Sequence, residues 1–401
     1  MNALYLSSAG MTEPLGRSQV VPYLQGLSRA GWQFDLLGFE PASARDQEIA
    51  QVSGELARDG IRYQFVRRSP SHAPARKLAE ALGALGRSVA RVARARPRII
   101  HARSYLPGAV GSLLQIVGPG SRFIFDCRGL LGDEYADVGH WSRESLRYRV
   151  LKRAERRLFG RADAVVVLTD RLRRWLRAER LAPDHVPVEV IPCCVDLTRF
   201  APDPARRAVA RERIGAADRF VLGYTGSLGS WYCEEQIASL FAAIARRRPS
   251  KLLVLTRSST AGLKAALAAR AIPPEAVHVE AVASADVPAV LGAADAAVSL
   301  IQPVFSKLAS SPVKLAESLA LGLPTVLNRG IGDCDELLDE HPDALVDAGS
   351  MSEAELDACA DRLLALDPDR AAAAARGLAE RCFSLDEGIR RYQTLYRRLV
   401  S

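Results

Sequence analysis

The sequence predicts an α/β protein made of two doubly wound, mainly parallel sheets. Three observations predict it. Short apolar runs alternate with helix-like stretches along the chain, and the alternation falls into two sets. The 401 residues also suit two domains of about 200 residues each better than one core.

In the first half the strand-like runs are "ALYLSS", "FDLLGF", "RYQFVR", "RIIHAR", "RFIFDCRG", "AVVVLT" and "VEVIPC". In the second they are "FVLGYTG", "KLLVLTR", "AVHVEA", "AAVSLI", "PTVLN" and "ALVDA". Between the sets lies "IPCCVDLTRFAPDPARRAVARERIGAADR", where proline, charge and a new strand start coincide, so the first domain is expected to span 1–195. The chain finishes with "FSLDEGIRRYQTLYRRL", whose Ile389, Tyr392, Leu395, Tyr396 and Leu399 make one helix face. In sheets of this kind, ligands collect at the carboxyl ends of the strands.

A composition of 48% apolar and 25% charged residues excludes a disordered chain. The start lacks the basic and apolar pattern of a signal peptide, and no run reaches the ~18 apolar residues of a membrane span, so a cytoplasmic protein is expected. The seven cysteines show no C-x-x-C and no zinc-like spacing with histidine, which points to reduced, mostly buried thiols and no metal.

The net charge of +8 is uneven: residues 1–200 hold 31 Lys/Arg against 20 Asp/Glu, and residues 201–401 hold 23 against 26. Between Arg62 and Arg103, eleven bases face the single acid Glu80. There Leu78, Leu82, Leu85, Val89 and Val92 recur at helical spacing, with Arg87, Arg91 and Arg94 crowding the later turns. Such a basic amphipathic helix either lies on an anionic membrane surface or packs its apolar stripe on a sheet. Nucleic acid is disfavoured because no aromatic residues interleave with these bases.

The strand ends carry polar groups that packing alone does not explain. After the first strand, "SSAGMTEPLGRSQVVPYL" offers Gly10 and Gly16 for tight backbone, Arg17, and Ser18 as a cap for the next helix. After "RII" come His101, Arg103 and Ser104; after "RFIF" comes "DCRGLLGDEY", with Asp126, Arg128, Asp133 and Glu134. Such charges need a ligand or one another.

In the second half, "GYTGSLGSWYCEE" has three glycines, among them Gly226, next to Ser227, and its G-x-x-G-x-x-G spacing offers N–H groups to an anion without being a dinucleotide fingerprint. Arg257 ends the next strand. The stretch "FSKLASSPVKLAESLALGLPTVLN" then sets Lys307 and Lys314 around Ser310, Ser311 and Pro312, one serine serving as N-cap, with the lone carboxylate Glu317 inside the helix. Three cations, a helix N-terminus and hydroxyls suit one diphosphate, and an acid one to two turns on suits a ribose diol.

Eight stretches in order, from "PLGRSQVVPYL" and "RIIHARSYLPG" through "FDCRGLLGDE", "AERRLFGRADAVVVLT", "VIPCCVDLTRF", "GSLGSWY" and "FSKLASSPVKLAESLALGLPTVLNRGIGD" to "FSLDEGIRRYQTLYRRL", resemble glycosyltransferase family 4. The resemblance implies the GT-B fold: an acceptor-binding Rossmann-like domain at 1–195, a nucleotide-sugar domain at 196–383, a cleft between them, and a last helix, 384–401, that crosses back to the first. It implies a metal-independent, retaining transfer from a nucleoside-diphosphate sugar to a saccharide or lipid-linked acceptor, in bacterial surface-polysaccharide or glycolipid assembly at the inner face of a membrane. Glu317 would hold the ribose; Lys307, Lys314, Arg257, Gly226, Ser227, Ser310 and Ser311 would hold the donor. Asp126, Arg128, His101, Arg103 and Lys307 would stand at the reacting centre, and Gly16, Arg17, Ser18, Glu134 and Trp231 at the acceptor.

The sequence departs from the family pattern twice. Eight positions before Glu317 stands Ala309 where the family has a second glutamate, and "GSLGSWYCEE" has Ser227, Trp231 and Tyr232 where the family has an Arg and a Lys. Lys307 and Arg257 are the expected replacements, with Trp231 or Tyr232 packing on donor or acceptor, or in the core. A sugar-nucleotide epimerase and a non-catalytic sugar-nucleotide-binding protein are the alternatives.

Overall fold

The computed structural model describes residues 1–68, 74–229 and 231–401. The chain divides into two compact units, Met1–Pro192 with Leu385–Ser401, and Cys193–Ser384.

The first unit runs β1 (Asn2–Ser7), α1 (Pro14–Gln19), α2 (Val21–Arg29), β2 (Gln33–Glu40), α3 (Asp46–Arg58), β3 (Arg62–Arg67), α4 (Pro74–Ala95), β4 (Ile99–Arg103), α5 (Tyr105–Val117), β5 (Arg122–Asp126), α6 (Leu131–Asp137), α7 (Leu146–Arg161), β6 (Ala164–Val167), α8 (Asp170–Ala178) and β7 (Val188–Val190). Its seven strands are ordered β3-β2-β1-β4-β5-β6-β7 and pair in parallel, with Ser7 opposite Arg103 and Arg103 opposite Asp126. The central strands are covered on both faces, which is why Ile99, Ile100, Phe123, Ile124 and Val165 form near-continuous apolar runs with no exposed surface.

The second unit runs α9 (Pro204–Arg213), β8 (Phe220–Thr225), α10 (Glu234–Arg247), β9 (Ser250–Leu255), α11 (Ala261–Ala268), β10 (Val277–Glu280), α12 (Val287–Leu291), β11 (Ala296–Ser299), a 3₁₀ turn (Phe305–Ala309), α13 (Val313–Ala320), β12 (Thr325–Leu327), α14 (Cys334–Glu340), β13 (Leu345–Asp347), α15 (Glu353–Leu364) and α16 (Pro368–Cys382). Its six strands are ordered β10-β9-β8-β11-β12-β13, again all parallel. Both sheets are doubly wound. Strand order reverses between β1 and β4 in one and between β8 and β11 in the other, so the loops leaving those strands part and open a crevice at their carboxyl ends.

The final helix, α17 (Leu385–Val400), belongs to the first unit. It buries Tyr392, Leu395 and Tyr396, with Tyr392 edge-on to Tyr23 at 5.4 Å and Tyr396 edge-on to Trp32 at 4.9 Å. Gly26 of α2 permits this approach, since a Cβ there would lie 2.3 Å from Ile389 Cδ1. Burying those three side chains contributes roughly 2 kcal/mol each.

The basic helix read from the sequence is α4, although the side chains of Lys77, Leu78 and Glu80 lie outside the described residues. Two of its later cations turn toward their own sheet: Arg87 donates to the Phe65 carbonyl, and Arg91 pairs with Asp35 at 2.5 Å. All seven cysteines are free thiols, six of them buried. No helix among the described residues is long and apolar enough to cross a membrane.

Candidate functional site

In the second unit the polar groups gather at the carboxyl ends of β8 and β11. Tyr224, the penultimate residue of β8, hands its hydroxyl hydrogen to the Ser227 carbonyl and accepts from Lys314 Nζ at 3.1 Å. The same ammonium lies 4.4 Å from the Tyr224 ring and 3.7 Å from the Tyr232 ring. Gly226 makes room for it: its φ is +111°, and a Cβ there would meet Lys314 Cε at 3.3 Å. Lys307, at the centre of the 3₁₀ turn, sets its ammonium 3.7 Å above the Trp231 ring. Each lysine thus sits on an aromatic face of the β8 loop, where a desolvated cation–π contact is worth about 2 kcal/mol.

The loop that carries the family's Arg and Lys therefore supplies aromatic faces here, and the cations reach it from the 3₁₀ turn and α13. The Ser-Ser-Pro turn differs from expectation in detail. Pro312 is the N-cap residue of α13 and no side chain caps the helix. Ser311 Oγ instead accepts from the Cys193 N–H at 3.1 Å, and Ser310 donates its own N–H to the Lys307 carbonyl at 3.0 Å. Ala309 is completely buried, so the position of the family's other glutamate is core in this chain.

The glycine loop is also less open than its spacing suggests. Gly226 N–H is taken by the Leu255 carbonyl at 3.0 Å, Leu228 N–H by Ser258 Oγ at 3.2 Å and Gly229 N–H by Glu234 Oε1 at 2.7 Å. A phosphate at this loop would meet lysines more than free amides. Arg257 is exposed at the end of β9 and donates to the Val282 carbonyl at 3.4 Å, beside β10, so it is not drawn into the lysine pair.

Glu317 follows Lys314 by one turn of α13 and is half-buried. Burial raises its carboxyl to about 7, with Arg199 and Lys314 opposing the rise. Burial likewise lowers the Lys314 ammonium to about 7, opposed by Glu317. Two groups poised near neutrality on one helix face favour an incoming anion: charge arriving beside Lys314 restores its proton. Arg199 and Tyr224 were not among the residues singled out from sequence. Tyr224 had a signal, as an aromatic hydroxyl at the end of a buried strand.

In the first unit the strand-end charges find one another. Asp126 is fully buried and accepts from Arg128 at 3.2 Å, His101 Nε2 at 3.3 Å, Arg103 at 3.4 Å and the Tyr392 hydroxyl at 3.1 Å. His101 Nδ1 meets the Tyr396 hydroxyl at 2.6 Å. Although burial opposes it, the two guanidiniums and the imidazole hold the Asp126 carboxyl below its ordinary range; burial lowers His101. Four of the five residues placed at the reacting centre from sequence are thus together in the first unit, with Asp126 and His101 bonded to α17, whereas Lys307 lies in the second unit. Arg128 keeps partial exposure.

The β1–α1 loop is ordered by Glu40, a residue sequence reasoning missed although an acid closing the apolar run "FDLLGF" was a signal. It accepts from Met11 N–H at 2.7 Å, Thr12 N–H at 3.2 Å and the Tyr63 hydroxyl. Gly16 is required, since a Cβ would sit 2.0 Å from the Gly10 carbonyl oxygen. Arg17 pairs with Glu55, and Ser18 lies inside α1, bonding back to the Pro14 carbonyl at 2.9 Å instead of capping α2. Glu134 lies in the first turns of α6, 3.1 Å from where a Gly129 Cβ would stand. Asp133 turns away from Asp126, to Tyr148 at 2.7 Å and Lys152 at 2.8 Å.

Two doubly wound parallel sheets in one chain are the architecture of the GT-B class. Residues 17–194 match the family described as "Glycosyl transferase 4-like domain", which supports a transferase of the glycosyltransferase family 4 type. A GDP-mannose-dependent alpha-(1-6)-phosphatidylinositol monomannoside mannosyltransferase of Mycolicibacterium smegmatis is 30% identical over 244 residues, covering 59% of this chain and 61% of that protein. The fold is shared with the Anabaena protein HepE in complex with UDP, at TM-score 0.75 and 15% identity over 99% of this chain and all of the other. It is shared also with sucrose-phosphate synthase of Thermosynechococcus elongatus, at TM-score 0.74 and 18% identity over 100% and 99%.

Proposed function

We propose that the chain is a retaining glycosyltransferase that moves a hexose from a nucleoside-diphosphate sugar to a saccharide or lipid-linked acceptor, in bacterial surface-polysaccharide or glycolipid assembly. The observation that carries the reading is the meeting of Lys307, Lys314 and Glu317 at the carboxyl ends of β8 and β11. The bond broken is that between the anomeric carbon and the diphosphate, the bond formed joins that carbon to an acceptor oxygen on the same face, and the acceptor's hydroxyl proton passes to the departing phosphate oxygen. Negative charge grows on the leaving diphosphate, so its stabilisation is electrostatic work. Lys307 and Lys314 do that work in place of a metal ion, while Glu317 accepts from the ribose hydroxyls. The nucleotide bound by HepE and the lipid acceptor in the mannosyltransferase's name support a nucleotide-sugar donor and a lipid-linked acceptor.

The test is a thermal-shift screen with UDP, GDP, ADP, CMP and dTDP and their sugars. A ligand at 100 times its dissociation constant adds about 2.7 kcal/mol, a rise of several degrees. One diphosphate family should raise Tm, and Glu317→Ala and Lys307→Ala should abolish both that rise and sugar transfer. Full transfer by both variants would sink the assignment. Epimerisation of the donor without acceptor, or binding without any turnover, would replace the transferase reading.

A further inference from the structure

The helical layer formed by α4, α5 and α7 on one face of the first sheet presents an uncovered apolar surface. Helix α5 packs between the other two and contains no Asp, Glu, Lys or Arg. Among the described residues ten large apolar side chains are exposed, and five of them stand on these three helices: Leu82, Leu113, Ile116, Leu146 and Val150. Ile116, at 75% exposure, and Leu146, at 68%, are the two most open of the ten. Exposed apolar groups gathered on one layer mark an interaction surface, whereas scattered ones do not.

Its rim is cationic. Along α7 the spacing Leu146, Val150, Arg153, Arg157 makes one outward stripe that begins apolar and ends basic, with Arg149 and Arg156 beside it. All four arginines are exposed, and among the described residues none has a carboxylate partner. The acid of this helix, Glu155, is buried and held by Lys152 and by the Tyr105 hydroxyl. Arg94 of α4 adds an exposed cation on the other flank. At the start of α7, Arg147 lies 5.5 Å from the Trp141 ring, itself stacked on Tyr135 at 4.5 Å, the residue types that favour a membrane–water boundary.

We propose that this face docks on an anionic lipid surface, with Leu113, Ile116, Leu146 and Val150 entering the headgroup region and the α7 arginines on lipid phosphates. Charge selects this occupant: a second copy would set two arginine-rich faces against each other. The cations that bind are those of α7, because Arg87 and Arg91 of α4 are drawn to Phe65 and Asp35. The inference rests on the lipid-linked acceptor for its purpose only. Its test needs neither donor nor acceptor, so the two readings fail separately.

The experiment is co-sedimentation of the full chain with phosphatidylcholine vesicles, with and without phosphatidylglycerol, at low and high salt. The chain is expected to pellet with the anionic vesicles at low salt and to be released by high salt. Arg149→Gln/Arg153→Gln/Arg157→Gln should weaken binding about a hundredfold, at about fivefold per charge. Leu113→Gln/Ile116→Gln should weaken it more than tenfold. Lys264→Gln/Arg381→Gln, in the second unit, should bind as the parent does, and circular dichroism should be unchanged in every variant. Undiminished binding by the α7 or α5 variants, equal binding to neutral vesicles, or no binding overturns the proposal. A dimer in gel filtration that Ile116→Gln disperses, without vesicle binding, overturns it in favour of a second copy.

Discussion

Lys314 and Glu317 share one turn of α13, and burial acts on them in opposite senses, bringing both to about 7. From pH 4.5, the ordinary carboxyl value, to about 7 the folded chain keeps a Glu317 proton that the unfolded chain has lost. Stability from this group therefore falls as pH rises through that window. From about 7 to 10.5 the unfolded chain keeps a proton that Lys314 has shed, so stability rises with pH there. The two slopes meet near neutrality and predict a shallow stability minimum there. Melting curves across this range should show it; Glu317→Gln should flatten the acid limb and Lys314→Gln the alkaline limb. A bound diphosphate should flatten the alkaline limb by protonating Lys314, seen as proton uptake when titrations are repeated in buffers of different ionisation enthalpy. Tyr232→Ala strips one wall from Lys314 and should weaken nucleotide binding by about 1–2 kcal/mol, whereas unchanged affinity would place that ring in the core alone.

At the scale of elements, Asp126 ties β5 to α17, since it takes both Arg103 and Arg128 and the Tyr392 hydroxyl. Asp126→Asn keeps the shape but leaves two guanidiniums without their buried counter-charge, at a cost of about 3 kcal/mol and roughly 6–12 °C in Tm. Because the folded carboxyl is depressed below 3.8, its stabilisation is present above that pH and lost as pH falls below it. The variant should therefore lose less stability on acidification than the parent. Strand and helix identity was readable from apolar runs and helical spacing, and all thirteen strand segments appear. Caps and loop amides were not readable. Whether Ser311 caps α13 or accepts from Cys193 depends on the turn's direction, and whether Gly229 N–H is open depends on Glu234 five residues on.

At the scale of the molecule, the first unit is discontinuous in sequence, and its core is closed by the last seventeen residues, Leu385–Ser401. Removing them uncovers Tyr23, Trp32 and His101, which pack on Tyr392 and Tyr396. Hydrogen exchange on a chain ending at Ser384 should show lost protection through β1, β4 and β5, while Cys193–Ser384 keeps its own. Uniform protection throughout would make α17 an accessory.

The sequence by itself determined the class: two sets of alternating strands and helices, and the resemblance those stretches carry. These are local, since strand period, helical spacing and loop composition are written in neighbouring residues. Only the tertiary structure decided which charges meet one another and which meet an aromatic face. Asp126 and His101 meet partners 266 and 295 residues away, while Arg257 stays beside Val282 and the two lysines find aromatic faces. A buried charge takes whichever partner the packing brings within reach, and that choice is set by chain crossings that no local window contains.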